Sequence, residues 1–398
     1  MKIVCTGYGV LAPNTINIDA YKKNLEQGNC ALELEEGAGP KDESNIVGYI
    51  REGLEEFELD KKEKRLPRVT KMGIKATKEA INSARIDLEG KKVGLFFGVS
   101  LGATGEELYQ DAIKQANEDN YRKVPLVFSH YANTHSISAA IAHSIGLKGM
   151  VKTITTGCTS SLEAVEEAMV YLKSGKIDVA IVGGSDTPIC PPTTYAFSKT
   201  RVLPLNQGLE DGAVPFHSDS AGFAMAEAAG AVILEREEDA VHRSADIRGE
   251  IVDIVSNNDG IYIFSLDESG EQMLAALKEV TMNRTPDYIN SQALGIQIND
   301  KIEEKCSKTL FDHKIPYTSI KSMYGNPFGA IGILQVISTL LSLEHGFIPP
   351  TIRTDKKGYE SMNVVTQTVY QEVKEVAITN HGYGGNNACA YIKKYNHR

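Results

Sequence analysis

The chain has 398 residues, 42% of them hydrophobic and 24% charged, a composition that excludes a disordered or fibrous protein and a length that suits two core units or one large fused one. A net charge of −10 argues against non-specific nucleic-acid binding, which needs surplus cations to displace counterions. The longest apolar stretch, around Ala330–Leu343, is interrupted by Gly332, Gln335, Ser338, Thr339 and Ser342, which argues against a membrane span.

In chain order, the pattern predicts a strand over Lys2–Thr6, a helix over Tyr21–Gln27, polar surface from Glu33 to Lys64 and a helix over Lys71–Ala84. The Lys2–Thr6 start has no long apolar core of a secretory signal, so a cytosolic protein is expected. A strand follows at Lys92–Gly98, a helix at Ser136–Ser144, a strand at Met150–Thr155 and a helix at Leu162–Ser174. Strands are then expected at Val179–Val182 and Ala231–Glu235, and a helix at Glu271–Val280. The last elements are a strand at Tyr288–Asn290, helices at Ile298–Phe311 and Ala330–His345, and strands at Glu375–Thr379 and Ala388–Lys393. This alternation reads as α/β with largely buried sheets. Asp178–Glu235 and Glu375–Lys393 each hold a strand, a glycine-containing loop and a second strand, which suggests two similar halves joined near Arg236–Arg248.

Three segments carry chemistry. Met150–Ser161 is a strand, a turn at Gly157 and a helix start, which places Cys158 at a helix N-terminus. Unpaired backbone N–H groups and the helix dipole there favour an anion, so a lowered thiol pKa is expected. The loop Asn380–Asn387 holds Gly382, Gly384 and Gly385 beside Tyr383 and His381, and could turn backbone N–H groups toward an oxyanion. The loop Ile320–Gly332 holds Lys321 and Asn326 ahead of an apolar helix. The opening Gly7-Tyr8-Gly9-Val10-Leu11-Ala12 is a loose dinucleotide fingerprint, but Pro13 follows and no helix begins there, so nucleotide binding is not expected. Six scattered cysteines without CxxC pairing indicate neither a disulfide framework nor a zinc site. No cofactor or metal is implied.

Together these segments resemble the β-ketoacyl synthases of fatty-acid and polyketide assembly, within the thiolase-like superfamily. Matching stretches occur in order: Val4–Pro13, the Cys158 elbow, Asp178–Ser185, Gly222–Ala231, Lys321–Gly325, His345–Thr351 and Gly382–Gly385. The resemblance implies a duplicated five-layer αβαβα thiolase fold, with halves at 1–245 and 246–398, in a homodimer or a heterodimer with a ketosynthase-like subunit. It also implies a phosphopantetheine-bearing acyl carrier protein as partner. Cys158 matches the nucleophile that takes the acyl group as a thioester, and the N–H groups of Cys158 and Tyr383 match the oxyanion hole, Tyr383 being the gate. Gln292 and Asn326 stand where the family has its two histidines, Leu294 and Ile296 where threonines hold the pantetheine arm, and Lys321 is kept. Amides donate hydrogen bonds but do not usefully accept a proton, so acylation of Cys158 is expected and standard decarboxylative condensation is not. His381, at a position usually aromatic, is a candidate replacement base. Lys61, Lys62, Lys64, Arg65, Arg68 and Lys71 fall where the family meets an acidic carrier. A chain-length-factor-like subunit without chemistry of its own is the alternative.

Overall fold

The computed structural model describes residues 1–54, 63–126, 128–131 and 133–396; Lys61 and Lys62, expected to face a carrier, lie outside them. Ten strands join in one sheet that is built from two copies of one pattern. In the first copy Ile3–Leu11 pairs antiparallel with Ala228–Arg236, which pairs antiparallel with Val179–Asp186. Val93–Gly98 and then Met150–Ile154 follow in parallel. The second copy repeats those directions with Gly249–Asn258, Asn386–Lys393, Glu375–His381, Tyr288–Asn290 and Tyr317–Thr318. The copies meet where Ile3–Cys5 runs antiparallel to Gly249–Ile251.

Helices complete the layers. Ser160–Lys173 and Ile331–His345 lie between the two halves, in contact with strands of both and with each other. Arg68–Ala84 and His135–Ser144 cover the outer face of the first half, and Glu271–Thr281 with Gln297–Phe311 covers that of the second. This is the five-layer αβαβα arrangement of a duplicated thiolase fold, as the resemblance implied.

Sequence explains the middle layer directly. Leu162, Val165, Met169 and Leu172 form the buried stripe expected for their helix. Every residue from Ile331 to Leu343 is buried, because a helix with sheets on two sides has no solvent face. Phe328–His345 therefore reaches a mean hydropathy of 1.3 over 18 residues, enough for a membrane span by composition, while 89% of it is buried inside the fold. Gly346, at φ 73°, ends the helix with its N–H on the Ser342 carbonyl.

Several elements differ from the sequence reading. Gly249–Asn258 was not anticipated as a strand, nor was Asn45–Gly48, a buried strand within the segment read as polar surface that pairs with Glu33–Glu35 and Met225–Ala226. Glu107–Asn117, Pro191–Lys199 and Glu237–His242 are further helices. Gly7 and Gly9 sit inside a strand, not a phosphate loop. A Cβ on Gly7 would stand 2.4 Å from the Ala80 carbonyl oxygen, and one on Gly9 2.3 Å from that of Ala76. Their absent side chains let the helix Arg68–Ala84 lie directly on the strand. Gly9→Ala should accordingly cost about 1–3 kcal/mol or more, the range for overpacking a dense core, read as a lowered urea midpoint; an unchanged midpoint would refute this packing role.

Candidate active site

The strand Met150–Ile154 ends in a turn at Gly157, whose φ of 74° suits glycine. Cys158 lies in the single 3₁₀ turn Gly157–Thr159 that leads into Ser160–Lys173. Two glycines seat this elbow. A Cβ on Gly98 would stand 2.4 Å from the Ser161 nitrogen, and one on Gly332 would stand 2.8 Å from the Leu162 nitrogen. Ser161 Oγ accepts the Ile333 N–H at 2.9 Å, which ties the starts of both middle helices together. Across the same junction Asn326 Nδ2 donates to Cys158 Sγ at 3.7 Å.

The glycine loop closes the other side. A Cβ on Gly382 would lie 3.4 Å from Cys158 Cβ and 3.5 Å from its Sγ, so the backbone leading into Tyr383 runs against the thiol. Neither the Cys158 N–H nor the Tyr383 N–H has a hydrogen-bond partner among the described residues. Two such donors beside one nucleophile are what a thioester oxyanion requires. Cys158, Gln292, Asn299, Asn326, His381 and Tyr383 line one small cavity of about 30 Å³, walled by Phe197, Phe223, Phe328, Leu294 and Ile296.

The elbow predicts a lowered thiol pKa; the structure corrects this. Burial raises the Cys158 pKa, and the Asn326 hydrogen bond and the Lys321 charge offset only part of that rise. A helix start favours a thiolate, but an apolar enclosure that excludes water disfavours it more.

Lys321 belongs to a short helix, Lys321–Tyr324, and is itself buried, with Nζ donating to the Ser291 carbonyl at 3.0 Å. Burial pulls its pKa down to about 7, against the opposing pull of Glu303. His381 is buried with both ring nitrogens engaged, Nε2 to Glu303 Oε1 at 3.1 Å and Nδ1 to Asn299 Nδ2 at 3.3 Å. Glu303 also accepts from Thr379 Oγ1. The ring borders the cavity, yet it is held as a link in a chain rather than left open as a base.

Four groups here escaped the sequence reading. Glu303 and Asn299 lie on the buried face of Gln297–Phe311. Asp300, on the same helix, takes the N–H groups of Phe216, Leu294 and Gly295, and its burial pushes its pKa up to about 7. Asp186 takes those of Ser100, Leu101, Gly102 and Gly329, and burial likewise lifts it to about 7. For the three on Gln297–Phe311 the available signal was the acidic pair Asp300 and Glu303 inside a stripe otherwise spaced as core.

The expected carrier patch is split. Lys64 and Arg65 are exposed and Lys71 is half-buried. The Arg68 guanidinium instead grips Glu227 through Nε and Nη2 at 2.8 Å each, and Nη2 also reaches the Ile50 carbonyl. Arg68 is thus an internal brace, and its expected role against an acidic partner gives way to that pairing.

Residues 1–240 match the family model for the β-ketoacyl synthase N-terminal domain, and residues 248–355 match that for the C-terminal domain. The chain belongs to the β-ketoacyl synthase family. Among curated relatives it is 29% identical over 405 aligned positions to a putative polyketide β-ketoacyl synthase 1 of Streptomyces halstedii, covering 96% of each chain. It is 27% identical to 3-oxoacyl-[acyl-carrier-protein] synthase 2 of Staphylococcus aureus, covering 99% of each. Among solved structures, a type II polyketide ketosynthase in complex with its acyl-carrier protein and bound to a hexaketide superposes with a TM-score of 0.89 at 22% identity, covering 99% of both chains. The ishigamide ketosynthase/chain length factor superposes with a TM-score of 0.88, also at 22% identity.

Alkylation of Cys158 by iodoacetamide, followed by peptide mass spectrometry across pH, should show a midpoint above the ordinary thiol value of about 8.5. Asn326→Leu should move it higher still, because the amide hydrogen bond that lowers it is gone. A midpoint below 8.5 in the native protein would show that the helix start, not burial, governs the thiol.

Proposed function

We propose that this β-ketoacyl synthase family member is an acyltransferase: Cys158 takes an acyl chain from a carrier as a thioester, in a type II fatty-acid- or polyketide-like pathway. The observation that carries this reading is the meeting of the Cys158 thiol, the Asn326 amide and the Gly382–Tyr383 backbone in one cavity. The thiolate supplies the nucleophile, and the unpartnered N–H groups of Cys158 and Tyr383 hold the charge that develops on the carbonyl oxygen. Standard decarboxylative condensation is lost in this reading. Gln292 and Asn326 stand in place of the family's histidines, and the absence of one such proton-handling group costs about 10²–10⁴-fold in rate.

Partners follow from the surface. Lys64, Arg65 and Lys71 offer cations to an acidic carrier. Met150–Ile154 is the terminal strand of the sheet, with Val151 39% exposed, and such an open edge suits a second ketosynthase-like subunit. The narrowness of the Cys158 cavity favours a second reading, a chain-length-factor-like subunit that shapes a partner's tunnel. About 30 Å³ holds little more than a water, so in the enzymatic reading Tyr383 and its neighbouring phenyl rings move aside to admit an acyl chain.

Intact-mass analysis separates the two readings. Incubation with an octanoyl-carrier thioester should add one octanoyl mass, and Cys158→Ala should abolish the adduct. Lys64→Glu with Lys71→Glu should slow loading from the carrier several-fold while sparing loading from a small octanoyl thioester. A correctly folded protein that gains no adduct from either donor is the chain-length-factor-like subunit instead.

A further inference from the structure

Two carboxamides lining the Cys158 cavity have polar atoms without partners. Gln292 is 1% exposed, and neither its Nε2 nor its Oε1 has a hydrogen-bond partner among the described residues. Asn299 is 3% exposed, and its Oδ1 is likewise unpartnered. Both line the cavity that holds the thiol. Other buried polar atoms, such as both amide atoms of Asn45, are also unpartnered, but those of Gln292 and Asn299 share a cavity with a reactive thiol, and that placement points to a group that arrives with a ligand.

The His381 chain decides which way Asn299 faces. Glu303 accepts from the Nε2–H of His381, and in that Nε2–H tautomer Nδ1 is the acceptor that faces Asn299 Nδ2. One Asn299 N–H is taken by His381, and the Asn299 oxygen remains without a partner. Gln292 has one acceptor oxygen and one NH2 with two N–H donors whichever way its amide is turned. The cavity therefore offers two acceptor oxygens alongside the N–H donors of Gln292 and the second N–H of Asn299, and the two oxygens can be satisfied only by a ligand that brings its own N–H or O–H. An enolate made from a malonyl thioester carries no N–H or O–H for those oxygens, and an alcohol carries one. An unprotonated primary amine carries two, with its lone pair still free.

We propose, resting on the acyltransferase reading above, that the acceptor for the acyl group on Cys158 is a primary amine, held by Gln292 Oε1 and Asn299 Oδ1, and that the product is an amide. The amine lone pair attacks the thioester carbonyl carbon and forms the C–N bond. The C–S bond breaks, its electron pair returns to Cys158 Sγ, and one amine proton passes to that sulfur, which regenerates the thiol. No oxidant, metal or external base enters the balance. The apolar walls of Phe197, Phe223, Leu294, Ile296 and Phe328 keep the amine uncharged. His381 is a positioning residue, acting through Asn299.

The test uses the full chain loaded with octanoyl from a small thioester, freed of excess donor and then given ethylamine, ethanol or a malonyl thioester. Mass spectrometry follows loss of the adduct and the released product. Ethylamine should speed loss of octanoyl from the native protein at least tenfold over the same thioester in the unfolded chain and release N-ethyloctanamide. Gln292→Met and Asn299→Leu should each lower the amine-dependent rate at least tenfold more than they lower loading. His381→Phe should raise the KM for amine more than it changes kcat. Loading without amine acceleration overturns this inference alone, as does faster turnover with ethanol or with the malonyl thioester. Failure to load overturns it together with the acyltransferase reading. Because the wild-type comparison needs no variant, a substitution that fails to fold does not protect the proposal.

Discussion

Everything at the site depends on how closely the two middle helices approach. Ser160–Lys173 comes from the first half of the chain and Ile331–His345 from the second, and their first turns touch backbone to backbone because Gly332 has no side chain and Gly98 makes room from the sheet. That contact brings the residues that precede each helix together. Cys158 lies just before one helix and Asn326 shortly before the other, so a separation of 168 residues in sequence becomes 3.7 Å between amide and sulfur. The duplicated sheet supplies the rigidity, since each middle helix is pressed between strands of both halves and dense cores transmit displacement rather than absorb it.

Burial, more than local charge, sets the electrostatics around the thiol. Asp186 accepts four backbone N–H groups and Asp300 accepts three, yet both are pushed up to about 7. Desolvation outweighs several good hydrogen bonds in each case. The same effect lowers Lys321 to about 7 and raises Cys158, so water exclusion weakens the amine's hold on a proton while it strengthens the thiol's.

Strands made of continuous apolar runs were legible, and Tyr288–Asn290 was located to the residue. The long strand Gly249–Asn258 was hidden by its own composition. Glu250, Asp253, Ser256, Asn257 and Asn258 give it no apolar period, and it forms because Ile3–Cys5 and Asn386–Lys393 pair with it from either side. Glu250 is tolerated there by Lys2 and Lys393 at 3.7 and 3.4 Å. The fold class survived the omission because the topology repeats. At the site, Cys158, Gln292, Lys321, Asn326, His381 and Tyr383 were named from sequence and are all buried or half-buried in one region. Asn299 and Glu303 were not, since a helix that buries polar residues at core spacing looks like any other amphipathic helix until its neighbours are known. The thiol pKa was misjudged for the same reason: a helix start is a local feature, whereas enclosure by Phe197, Phe223 and Phe328 is a tertiary one.

In the proposed reaction Cys158 holds an acyl group with its carbonyl oxygen in a hole made by two backbone N–H groups. Isotope-edited infrared spectroscopy of the protein loaded with octanoyl labelled with ¹³C at the carbonyl reads that hole directly, because hydrogen bonds to the oxygen weaken the C=O bond. The labelled band is expected at lower wavenumber in the folded protein than in the same thioester after unfolding, returning toward the unfolded position when the glycine loop around Tyr383 is displaced by Gly382→Val. A band at the same wavenumber in the folded and unfolded protein would contradict it.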